Sequence, residues 1–261
     1  MKLSYRLLVF MMALGWCITA ASSLASAAPL PKEKDKEKEH EGQKVDSGSF
    51  GVFQNGHRVG TETFSIYQTS GGSVVESEFK TVNAPTDAAQ TSEMQLTPTG
   101  EVRRYDWKEL SPGKATSVVL PNSDFLSQKW RTGPEEKEHE QPYLLPASTN
   151  ILDDYFFVHR ELLAWKFLAA ACKQEKGQAT QCPLKQRTQF GTLNPHQHAS
   201  APLGAEFLGR EKVTLKNGER DLFKIEFKTE AGTWQLWLDD LDHFKVMRMS
   251  IVGENTVVER D

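Results

Sequence analysis

The sequence predicts a mainly β protein: a curved antiparallel sheet or half-barrel with one principal helix packed against its concave face. Three observations point there. Asn55-Gly56 and Asn217-Gly218 sit between runs that alternate apolar and polar residues, the strongest short hairpin signal. Further alternating runs, punctuated by Gly and Pro, recur along most of the chain. One stretch, 150–172, lacks both Gly and Pro and is apolar around much of a helical circumference.

From the start of the chain, Lys2 and Arg6 precede the apolar run 7–21, and Ala25-Ser26-Ala27 follows as a cleavage motif. Charge, short apolar core and small residues in that order describe a secretory leader, 1–27. Cys17 offers a lipid attachment point, but bulky Trp16 precedes it where lipoprotein processing needs a small residue. Residues 28–46, including "KEKDKEKEHEGQKVD", have too few apolar side chains to offset the entropy of ordering, and are expected to form a disordered linker. His40 lies within it. The remainder, 47–261, is long enough for a single β-rich domain with one core. Periplasmic or secreted localisation follows, with no membrane span left after cleavage.

Within that domain, Phe50 and Val52 alternate before the first Asn-Gly, and Phe64 and Ile66 after it. "GGSVVESEFKTV", "GEVRRYDWKEL" and "ATSVVLP" continue the meander, and "KNGERDLFKIEF" repeats the hairpin chemistry. In the closing pair, Trp234, Leu236 and Leu238 share one face and Trp237 takes the other. Seven to ten strands are expected. On the helix, Leu152, Phe156, His159, Leu163 and Ala170 cluster, and Tyr155, Leu162 and Trp165 widen the arc. Asp153 and Asp154 stand near its start, and Arg160 and Glu161 mark the opposite side. In an oxidising compartment, Cys172 and Cys182 are expected to pair around a turn at Gly177. A thiolate metal site is the rival, although no third ligand stands near.

The first hairpin "GVFQNGHRVGTETF", the mid-chain "ILDDYFFVHRELLA" and the closing "LWLDDLDHFKVMRM…VVER" together resemble a family of exported bacterial β proteins, domain of unknown function 3108. The resemblance covers most of 48–261 and rests on turns and strand phases, not on a catalytic signature. It implies a curved antiparallel sheet. By analogy it implies the half-barrel of the periplasmic lipoprotein carrier and its outer-membrane receptor, where a helix plugs an apolar cavity.

Composition narrows function. A formal charge of −4, with no basic stripe, argues against nucleic acid as a partner. No nucleophile elbow, zinc-protease helix or phosphate loop occurs, so no catalytic residue, cofactor or metal is assigned. His57 and Arg58 follow a turn and read as solvated. His196-x-His198 could supply two metal ligands, but its Pro and Ser neighbours point to an exposed loop. Asp239, Asp240 and Asp242 could seat Ca²⁺, or simply form a polar turn. His159 reads as a core histidine before a base. With fourteen Phe and six Trp in a polar chain, the expectation is a non-enzymatic periplasmic protein holding a lipid-like or other apolar ligand. Phe64, Tyr155, Phe156, His159, Leu163, Trp234 and Leu236 would line that cavity. An envelope protein-interaction or assembly module with a packed core is the alternative, and a secreted hydrolase the third.

Overall fold

A computed structural model describes residues 42–82, 87–173 and 180–261. The expected leader, residues 28–41 of the linker and Gly177 lie outside them. The first half of the sheet comprises β1 (Gln43–Gln54), β2 (His57–Thr69), β3 (Gly72–Thr81), β4 (Ala89–Leu96), β5 (Val102–Ser111), β6 (Thr116–Asn122), β7 (Phe125–Arg131) and β8 (His139–Tyr143). After β9 (Asn150–Ile151) and helix α1 (Val158–Ala171), the second half comprises β10 (Arg187–Asn194), β11 (Ala199–Leu215), β12 (Gly218–Thr229), β13 (Gly232–Asp239), β14 (Lys245–Ile251) and β15 (Thr256–Arg260).

All fifteen strands belong to one open, curved sheet, ordered β8 to β1, then β15 to β9. Each half is an antiparallel meander, and the halves join where the terminal strands β1 and β15 pair. Short β9 runs parallel to β10. The count exceeds the seven to ten expected because several strands turn polar or small residues inward. Gln90 and Ser92 on β4 and Ser127 and Gln128 on β7 are buried, so an apolar-alternation criterion passes over these strands.

The hairpin at Asn55-Gly56 has positive φ at both residues, 51° and 78°, as a type I′ turn requires. At the second site Leu215 pairs with Gly218, so Lys216 and Asn217 form the turn; of the three only Gly218 has positive φ, 111°. The hairpin forms, one residue earlier than its Asn-Gly pair suggests. Leu236 and Leu238 enter the main core and Trp234 packs against it. Trp237 faces the other way, in a small outer cluster with Val213 and Leu222.

Strand β1 starts at Gln43, so the last four residues assigned to the linker belong to the sheet. Asp46 is buried there because Arg260 of β15 reaches it at 2.8 Å. The charged composition conceals a strand whose acid is paired inside.

Helix α1 is shorter than 150–172. Residues 150–151 pair as β9, and Asp153 folds back locally, accepting a hydrogen bond from Tyr155 N at 2.9 Å, a side-chain bond that competes with helix. Neither Asp153 nor Asp154 therefore caps the helix, although Arg160 of its first turn donates to Asp153 O at 3.1 Å. Glu62, on β2, supplies the carboxylate: its Oε2 accepts from Phe157 N at 2.7 Å and Val158 N at 3.3 Å. Arg160 and Glu161, expected to mark the outer side, are both buried. The first turn of the helix, Val158 to Glu161, is buried on every side, and both charged side chains find partners inside, whereas Ala169 and Ala170 in the last turn are exposed.

Its C-terminus is tied by the disulfide between Cys172 and Cys182, whose Cα atoms lie 4.4 Å apart. Lys173 and Gln181 exchange backbone hydrogen bonds beside it. A Cys172→Ser, Cys182→Ser double variant should lose about 2–3 kcal/mol in reversible chemical denaturation, the loop-closure value for so short a span. An unchanged midpoint and slope would remove the bridge's structural role.

Candidate ligand-binding site

Curvature brings the second half of the sheet back toward β5–β7. In that part, Trp107, Ser117 and Trp130 occupy directly paired positions on three adjacent strands. A small residue between two indoles leaves a trough. The turn joining β10 and β11 lies across it. His196 meets Trp107 edge to face at 4.4 Å, and His198 lies 4.1 Å from Trp130, whose other neighbour is His139 at 5.4 Å. The half-open pocket between them has a volume of about 180 Å³.

One buried side chain fixes the turn in place. Gln128 donates to Ser117 Oγ at 2.8 Å and to Pro195 O at 2.7 Å, while its carbonyl accepts from Tyr143 Oη at 2.9 Å. The turn is also braced from within, since Asn194 Oδ1 accepts from the His196 and Gln197 amides. His196 and His198 are thus half-buried walls of a pocket, not the exposed loop that their neighbours suggest.

Beneath His196 lies a buried polar centre. Tyr105 Oη donates to Asp153 Oδ2 at 2.5 Å. His196 Nε2 is 3.0 Å from the same oxygen. Burial alone would raise the Asp153 pKa; His196 and Tyr105 outweigh it and hold the carboxyl below its ordinary value. Burial, reinforced by that carboxylate, drives Tyr105 well above the usual phenol range. Burial likewise pushes His159 down to about 4, keeping it neutral. Its Nδ1 accepts from Asp153 N at 3.4 Å, so the ring proton sits on Nε2, which has no partner. A void of about 10 Å³, bordered by His159, Met94 and Lys166, adjoins it, room for one water.

A second polar centre holds the helix. Arg260 Nη2 lies 2.8 Å from both Glu161 oxygens and from Asp46 Oδ2, and Glu161 also accepts from Val246 N. The guanidinium rests over Phe50 and Phe64 at 5.2 and 5.1 Å. Burial raises Glu161 to about 8 despite Arg260. Asp46, facing the same guanidinium, adds to that rise. Glu62 is raised to about 7, chiefly by burial and against its hydrogen bonds from Ser77, Phe157 and Val158.

Of the residues expected to line an apolar cavity, Phe64, Phe156, His159, Leu163 and Leu236 are buried, packed with one another and with α1 in the main core or beside it. Trp234 is half-buried beneath the Arg160 guanidinium, 4.3 Å from its ring. Tyr155 is 40% exposed and turns its ring to His196 at 4.8 Å. Sequence reasoning missed Trp107, Ser117, Gln128 and Trp130, which meet only through strand register. The His-x-His pair was the available signal. Asp239 and Asp240 are engaged by Arg220 and Arg210, and no group of three metal-ligating side chains converges among the described residues. Among those residues no helix is long and apolar enough to cross a membrane. No protein-family model, curated protein or solved structure matches the chain.

The two raised carboxyls give a pH dependence. Folded Glu62 and Glu161 keep protons, up to about 7 and 8, that the unfolded chain releases near 4.5. Their contribution to stability is therefore greatest at low pH and declines as pH rises through those windows. His159 acts oppositely, but only below its ordinary 6.5. The melting temperature should fall between pH 6.5 and 8, each group contributing at most about 1.4 kcal/mol per pH unit. Glu62→Gln, whose amide oxygen still accepts from α1, should flatten the part below pH 7. A slope equal to wild type would exclude Glu62 as its source.

Proposed function

We propose that this chain is a periplasmic or secreted binding protein that takes one polar, six-membered ring, of the sugar class, between Trp107, Trp130, His196 and His198. The preformed pocket of about 180 Å³ carries this reading. A cavity of about 150 Å³ accepts benzene, so the space suits one ring and not an acyl chain. The walls are mixed. The indoles supply apolar surface for the C–H groups of a sugar, and the imidazoles with Thr116 and Thr132 offer hydrogen bonds that a hydrocarbon would leave unmade. The Asp153 carboxylate would hold His196 in place beneath the ligand.

The lipid reading asks more of the molecule. The space of about 10 Å³ beside α1 has room for one water at most, so an acyl chain would have to displace a helix that is part of the core.

Saturation-transfer NMR with galactose, N-acetylglucosamine and galacturonic acid, set against a fluorescent fatty acid, separates the two. At least one sugar should bind, and Trp107→Ala should weaken it roughly tenfold or more. Fatty-acid binding unaffected by Trp107→Ala, with no sugar bound, would return the site to the helix.

A further inference from the structure

The pocket's lining holds one fixed charge, Arg131, and no acidic side chain, on a chain whose formal charge is −4. Burial holds His198 below its ordinary value, so its imidazole faces the pocket as a neutral ring. The acids nearby lie behind the basic groups. Asp153 sits beneath His196, fully enclosed, and Glu138 meets Arg131 from the solvent side at 3.2 Å, with both side chains nearly half exposed. His198 is backed by the neutral amide of Gln128 at 3.2 Å. On the adjacent surface, at the same strand ends, an open depression of about 500 Å³ is bordered by Lys108, Lys114 and Arg131, with Glu109 as its acid. Glu109 is turned inward, toward Ala115 N at 3.4 Å.

Resting on the binding reading above, we infer that the ring carries a negative group, a carboxylate or a phosphate, and that Arg131 is the residue that reads it. A guanidinium whose surface partner is exposed exchanges that partner at little cost. It then offers a fork of donors matched to a carboxylate or a phosphate. The indoles recognise the ring whatever its charge; Arg131 separates the acid from its neutral counterpart. Lys108 and Lys114 add a positive field that draws anions to this edge of an otherwise acidic protein.

Isothermal titration of the full chain with galacturonic acid, its methyl ester and galactose 6-phosphate tests this. The free acid should bind roughly tenfold or more tightly than the ester, and raised salt should narrow the gap. Arg131→Gln should weaken the acid far more than the ester and so close the gap between them. Tighter binding of the 6-phosphate than of the uronate supports the inference with phosphate as the source. Equal binding of acid and ester, both weakened by Trp107→Ala, overturns the charge inference and leaves the ring site standing. Binding untouched by Trp107→Ala overturns the ring site and this inference with it.

Discussion

The architecture turns on one guanidinium. Arg260, the penultimate residue, is shared between Glu161 of the helix and Asp46 of the first strand. It joins three parts that chain order keeps far apart: the two terminal strands, which make the pairing between the sheet's halves, and the helix. Burying such a group is expensive, and losing one partner from a buried cluster costs about 3–5 kcal/mol, because the others are left unpaired. The arrangement is therefore weakly justified as a source of net stability and strongly as a determinant of position. It fixes which side of α1 faces the β1–β15 junction. Glu62, on the neighbouring strand, fixes where the helix begins.

With α1 held in this way, the middle of the concave face is filled. Phe156, Leu163 and Phe167 are buried there. Room remains near β6 and β7, where the β10–β11 turn crosses the trough between two indoles. Gln128 and Asp153 secure that crossing from below, each with its hydrogen-bonding capacity largely used inside the protein. The pocket is thus a product of curvature and closure, and its supports are buried.

How much of this could be read in the sequence depended on the range of the interaction. Asn55-Gly56 acts within four residues and was legible, as was the opposed facing of Trp234 and Trp237. The Cys172–Cys182 pair needed only the compartment and the spacing. Arg160 and Glu161 looked solvent-facing because their partners, Trp234 and Arg260, lie 74 and about 99 residues further on. Asp46 was hidden for the same reason, at the end of a charge run. Trp107 and Trp130 become neighbours only through the register of three strands, which a two-residue slip would abolish. His196 and His198 were noticed for their spacing, and misplaced because local composition says nothing about what a turn covers.

Native-state hydrogen exchange with mass spectrometry tests most directly whether the helix is a permanent part of the core. Protection of α1 should equal that of β1 and β15, all three exchanging only through global unfolding. The turn at 194–198 should exchange faster, and ligand should slow it there. Opening of α1 at a free energy well below that of β1 and β15 would contradict this account. It would show a helix able to leave the concave face and a cavity beneath it.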